Sequence, residues 1–182
     1  MKAEANGITI NYVVDGPEGA PWVTFSTGIS NDTTMWDDHI DVLADRYRLL
    51  RYDSRGHGGS GATANDYTFE LLTSDVLGLW DALNIKRSHL VGIGLGGMTA
   101  MAMALHHPDR VSALVAVACR AALTSKYEAI WPPMIDTART SGIEASVERT
   151  ANRWFPDDFR ESNPATMEKV RTKIRRTSLD GY

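Results

Sequence analysis

His89-Leu-Val-Gly-Ile-Gly-Leu-Gly-Gly-Met98 is an apolar run that breaks into glycines and continues as Thr99-Ala-Met-Ala-Met-Ala-Leu105. Ser88 to Ile93 reads as a buried strand, and the segment from about Met98 to His107, stopped by Pro108, reads as a helix. The corner between them is so tight that small residues are required on either side of it. A strand feeding directly into a helix is the unit from which parallel sheets are built, so this stretch sets the fold class as α/β.

The chain on either side repeats the unit. Ile8 to Val14 reads as an edge strand, and Trp22-Val-Thr-Phe-Ser26 as a second strand followed by Gly28. Asp37 to Arg46 spaces Ile40, Leu43 and Ala44 among charges, as a helix does, and leads into the strand Tyr47 to Tyr52. Phe69 to Leu83 repeats Leu72, Val76, Leu79, Trp80 and Leu83, the stripe of a helix that covers a sheet, and Ala113 to Ala118 reads as a buried strand. The alternation predicts a mostly parallel sheet with right-handed crossovers over residues 1–122. It stops there. Residues 123–182 contain only helical patterns, broken by Pro132, Pro133, Gly142, Pro156 and Pro164. Within them Lys169, Arg171, Lys173, Arg175 and Arg176 surround Met167, Val170 and Ile174 at helical spacing, which reads as the solvated face of a helix.

Composition narrows the function. A chain of 182 residues, 43% hydrophobic and 23% charged, buries roughly 70% of its unfolded surface as one domain with at most a small appendage. Nineteen Lys and Arg against 23 Asp and Glu give a net charge of -4, with no basic excess for a nucleic acid or an anionic membrane. The single cysteine, Cys119, has no intramolecular partner, and the five histidines lack zinc-site spacing. No apolar run approaches the roughly 20 residues of a membrane span, and Met1 to Asn6 is polar, which predicts a cytoplasmic protein without a signal peptide.

Gly92, Gly94 and Gly96 occupy the five-residue frame G-x-S-x-G, with glycine where the serine belongs. Upstream lie Arg51-Tyr-Asp-Ser-Arg-Gly-His-Gly-Gly-Ser60 and Thr27-Gly-Ile-Ser-Asn-Asp-Thr-Thr-Met-Trp36. In order and spacing the three segments resemble the nucleophile elbow, the D-x-R-G-H-G-x-S loop and the H-G-x-G oxyanion loop of the α/β hydrolases. The resemblance is closest to the 3-oxoadipate enol-lactonases. It extends through Met35-Trp-Asp37, the Asp75 to Leu83 helix, Gly96-Gly-Met98, Pro108-Asp-Arg-Val111 and the cap-like Arg153-Trp-Phe155.

The resemblance implies an α/β-hydrolase fold with a helical cap, and hydrolysis of a small-molecule ester or lactone without a cofactor. It places Gly94 at the nucleophile position and assigns the backbone N–H groups of Ile29 and Leu95 to the oxyanion hole. Trp131, Trp154 and Phe155 would line the substrate pocket. Two positions depart from the family: Thr27 replaces a His or Asn, and Met134 stands where the lactonase cap carries an arginine. Family order puts the triad Asp and His after the cap. The expectation is therefore that a C-terminal segment or a second polypeptide supplies them, and that residues 1–182 are catalytically impaired. Alone, they are expected to be aggregated or molten, because the strand Ala113 to Ala118 would lack a neighbour.

Other residues have plainer readings. His57 belongs to a structural loop, His106 and His107 end a helix, His89 ends a strand, and His39 lies on a helix surface. Asp53 and Arg55 read as a loop-fixing salt bridge. Two other functions compete: ligand binding without hydrolysis, and dinucleotide binding, since Gly92, Gly94 and Gly97 also spell G-x-G-x-x-G. The second leaves the Arg51 to Ser60 loop unexplained.

Overall fold

In a computed structural model covering residues 1–182, the apolar runs become six strands of one sheet. They are β1 (Lys2–Ala5), β2 (Ile8–Asp15), β3 (Trp22–Ser26), β4 (Arg48–Tyr52), β5 (Ser88–Ile93) and β6 (Val111–Val117), in the spatial order β1-β2-β4-β3-β5-β6. β3 runs parallel to β4 and β5, and β5 parallel to β6, while β1 and β2 are antiparallel additions.

Three helices connect them: α1 (Asp37–Leu43), α2 (Phe69–Ala82) and α3 (Leu95–His106). Alternation along the strands divides the core in two, because successive side chains leave opposite faces. Leu50 packs with Leu79, Trp80, Leu90 and Met103 beneath α2 and α3, whereas its neighbour Leu49 packs with Val23, Phe25 and Trp36 beneath α1. Between the apolar positions of β3, Thr24 accepts the Trp80 indole N–H at 3.0 Å, which satisfies a donor that is otherwise wholly buried.

Two strands differ from their sequence reading. β2 is not an edge, because the short, polar β1 pairs with it through Lys2 to Ala5. β6 lies at the other edge, and of its residues only Val111 is buried; Val115 is 53% exposed. Its run of small and β-branched residues suits burial, but burial needs cover from neighbouring elements, and β6 has a paired strand on one side only.

From Ser125 the chain is helical, as expected, with α4 (Ser125–Glu128), α5 (Trp131–Ser141), α6 (Glu144–Trp154), α7 (Asp157–Ser162) and α8 (Pro164–Arg175). Val147 and Ala151 of α6 meet Met167 and Ile174 of α8 in a small core of their own. The basic face of α8 is more than a solvated surface. Arg171 bonds Glu148 at 2.6 Å and Arg175 bonds Glu144 at 2.9 Å, so both clamp α8 to α6. The segment after α8 turns back to the sheet. There the Ser178 N–H donates to the Gly56 carbonyl at 2.9 Å, and Gly181 presses so closely on Gly56 that a Cβ would overlap its backbone.

Candidate active site

The corner after β5 is a single residue. Gly94 has φ +56° and ψ -119°, and the helix begins at Leu95. A Cβ on Gly92 would overlap the Gly96 carbonyl, one on Gly96 would overlap the Ser26 carbonyl, and one on Gly97 would come within 2.9 Å of the Cys119 sulfur. These three glycines are required by the close packing of α3 on the sheet. Gly94 differs. The nearest atom to a Cβ there is the Gly28 Cα, at an ordinary 3.8 Å, so the position has room for a side chain at the cost of its left-handed backbone.

Beside this corner runs the turn after β3, in which Ser30 adopts φ +62°. The Ile29 N–H has no acceptor in the protein, and the Leu95 N–H, on the first residue of α3, has none in a preceding turn. Both residues border a cavity of 740 Å³ above Gly94. Trp131, Trp154 and Phe155 line the same cavity, so the structure gathers every residue singled out for the site in one place. It also brings in Cys119, Arg120 and Lys173, which the sequence does not assign to this site. In the sequence, Lys173 stands out as part of the basic run of α8, and Cys119 and Arg120 stand where the dinucleotide fingerprint would want an acid. No Asp, Glu or His lines the cavity.

The loop that follows β4 is tied to the turn after β3 through Asp53 and Thr33. Asp53 is 2% exposed and accepts the N–H groups of Thr33 at 2.6 Å and Gly59 at 2.8 Å, and the Asn11 amide at 2.7 Å. The expected Asp53 to Arg55 salt bridge is absent. Arg55 instead meets Asp75 of α2 through two bonds, at 2.5 and 2.9 Å, because a guanidinium fork matches both oxygens of that carboxylate while Asp53 is already occupied by N–H donors.

His57 is 1% exposed and outside the cavity, as a structural residue would be. Its Nδ1–H donates to the Arg55 carbonyl at 2.9 Å, its Nε2 has no partner, and burial holds its pKa below the ordinary imidazole range. The Tyr52 phenol, bonded to Ser26 at 2.7 Å, is pushed up to about 12 by burial. His89 packs on the Tyr47 ring and His39 on Trp36. Thr27 and Met134, the two departures from the family pattern, are both buried and neither lines the cavity.

The dinucleotide reading does not fit this sheet. That fingerprint follows the first strand of a doubly wound parallel set, whereas these glycines follow β5, the third parallel strand in chain order.

Comparison with known proteins agrees. The family model described as alpha/beta hydrolase fold matches residues 21–173. The chain is 32% identical to 3-oxoadipate enol-lactonase 2 of Acinetobacter baylyi over 98% of this chain and 66% of that one. It is also 32% identical to 3-oxoadipate enol-lactonase 1 of the same organism, over 100% and 67%. The crystal structure of an enol-lactonase from Burkholderia xenovorans LB400 superposes with a TM-score of 0.95 at 36% identity, covering 100% of this chain and 70% of that one. The chain thus spans about two thirds of the length of these relatives. With the family match running from the first parallel strand into α8, this chain belongs to the α/β-hydrolase fold family.

Proposed function

We propose that the protein carries the site of a hydrolase of ester or lactone bonds, with Gly94 at the position of the nucleophile. One observation carries the reading: of the glycines around the corner, only Gly94 has room for a side chain, and it faces a cavity. In this reading the N–H groups of Ile29 and Leu95 hold a substrate carbonyl oxygen and stabilise the charge it gains as a tetrahedral centre forms. Residues 123–182 act as a cap over the core of residues 1–122, with Trp131, Trp154 and Phe155 packing on the apolar part of the substrate. The similarity to enol-lactonases supports a small ester or lactone as that substrate.

Without an oxygen at position 94 or a base beside it, these residues form no acyl-enzyme. The same cavity wall, free of Asp, Glu and His, favours a second reading as a ligand-binding member that does not hydrolyse.

The position is tested with a nucleophile that needs no histidine. In a Cys119→Ser background, Gly94→Cys places a thiol at the N-terminus of α3, where its pKa falls and thiolate forms near neutral pH. Treated with p-nitrophenyl acetate, this variant should release one equivalent of nitrophenolate in a burst and carry one acetyl group on residue 94 by mass spectrometry. The Cys119→Ser protein with Gly94 intact should do neither. Equal rates in the two would remove Gly94 from the site.

A further inference from the structure

A groove of 670 Å³ separates α8 from the start of α1, and its two walls carry opposite charge. Asp37 and Asp38 stand on the α1 side. Lys169, Lys173 and Arg176 stand on the α8 side, where the one acid, Glu168, is already taken by Arg171 and Arg175. A single ion pair spans the gap, Arg176 to Asp32 at 3.5 Å, at the C-terminal end of α8. Asp38, Lys169 and Lys173 have no partner of opposite charge, and Asp37 uses only one carboxylate oxygen, on Arg51. The cap that carries α8 is held at one end. Its helices pack chiefly on one another, α5 on α6 and α6 on α8 around their own small core. The chain crosses from core to cap at residues 118–124, where Ala118 has φ +46°. The hydrogen bonds between cap and core are the two that Ser178 donates to the Gly56 carbonyl, from its N–H at 2.9 Å and its hydroxyl at 3.0 Å. These bonds and the Arg176 pair all lie beyond the last turns of α8, so its other end, from Pro164, has no such tie.

We propose that α8 swings about Ser178 and closes this groove electrostatically, bringing Lys169 and Lys173 against Asp37 and Asp38. Opposite charges on facing walls attract across the water between them, and the attraction grows as the gap narrows. One exposed pair is weak, but several formed together shift the ratio of the closed to the open arrangement by about tenfold. The Arg176 to Asp32 pair is the first of the set, already made where α8 is tethered. Closure has a consequence for the site. Val170 and Lys173 border both this groove and the cavity above Gly94, so a closed groove shuts the cavity on that side. The proposal rests on residues 123–182 acting as a cap, as above, but on neither Gly94 nor hydrolysis.

Double electron–electron resonance tests it, with spin labels at Val42→Cys on α1 and Glu161→Cys on α7 in a Cys119→Ser background. Both positions are exposed, and α7 leads directly into α8. At about 20 mM ionic strength, where the Debye length is about 20 Å, short distances should predominate. At about 500 mM, where it is about 4 Å, the distribution should shift to long distances, with the ratio of the two changing about tenfold. At the lower salt, Lys169→Glu or Asp38→Lys should each give the long distances. The two together should restore the short ones, since the pair is rebuilt with its signs exchanged. Asp45→Lys, the same change of charge outside the groove, should leave the distribution in place. A distribution unmoved by salt, charge reversals without effect, a double variant that stays open, or an equal shift from Asp45→Lys would each overturn the proposal. The salt comparison alters no groove residue, so it decides alone if a charge variant fails to fold. Neither result depends on acylation of Gly94→Cys, so the two readings fail separately.

Discussion

Arg55 and Asp75 form a two-pronged ion pair, Nε to Oδ2 at 2.9 Å and Nη2 to Oδ1 at 2.5 Å, with both side chains almost wholly buried. Asn6 completes the cluster: its amide donates to Asp75 at 2.7 Å, and its carbonyl accepts from Arg55 at 3.0 Å. The pair ties the loop after β4 to α2 and, through Asn6, to the turn between β1 and β2.

Removing one partner strands the other without a counter-charge in a buried place. Asp75→Ala should therefore cost about 3–5 kcal/mol of stability in urea unfolding. Arg55→Met combined with Asp75→Ala should cost clearly less than the sum of the single variants. Additive costs would show that the pair is not coupled.

The glycines of the elbow should rank by contact rather than by sequence position. Gly92→Ala and Gly96→Ala drive a Cβ into backbone, and each should destabilise by about 3 kcal/mol or fail to give soluble protein. Gly94→Ala meets no close atom and should cost only its backbone strain, about 1–3 kcal/mol. Thermal melts of the three variants decide the ranking.

His57 gives a pH dependence. Burial holds its folded pKa below the ordinary imidazole value of about 6.5, so the unfolded state binds the proton first as pH falls. Its stabilising contribution is complete above about pH 6.5 and is lost as pH falls from there toward the folded pKa, at up to about 1.4 kcal/mol per pH unit. His57→Gln retains a donor for the Arg55 carbonyl and does not titrate. Stability measured from pH 7.5 to 5 should fall less steeply in this variant than in the unaltered protein.

Asp53 accepts N–H donors from three segments, at Asn11, Thr33 and Gly59. Asp53→Ala leaves them without an acceptor, each at about 1–3 kcal/mol if water does not enter. Hydrogen exchange should show the Thr33 and Gly59 amides losing protection before those of β3 and β5. Uniform loss of protection would place the effect on global stability instead.

Much of this molecule is local in origin. The strands Trp22–Ser26 and Ser88–Ile93, the helix stripe of Phe69–Ala82 and the glycine corner are legible because periodicity and the absence of a Cβ act over a few neighbouring residues. The corner at Gly94 was legible for the same reason, while the family was legible only through the resemblance of three motif segments. The choice of partners was not. That β2 has β1 beyond it, that β6 is exposed, that Arg55 takes Asp75 and not Asp53, and that Lys173 turns to the cavity while Arg171 and Arg175 turn to α6, all depend on which distant segments arrive alongside. A charge two residues away and one 20 residues away compete on geometry alone, and only the folded backbone sets that geometry.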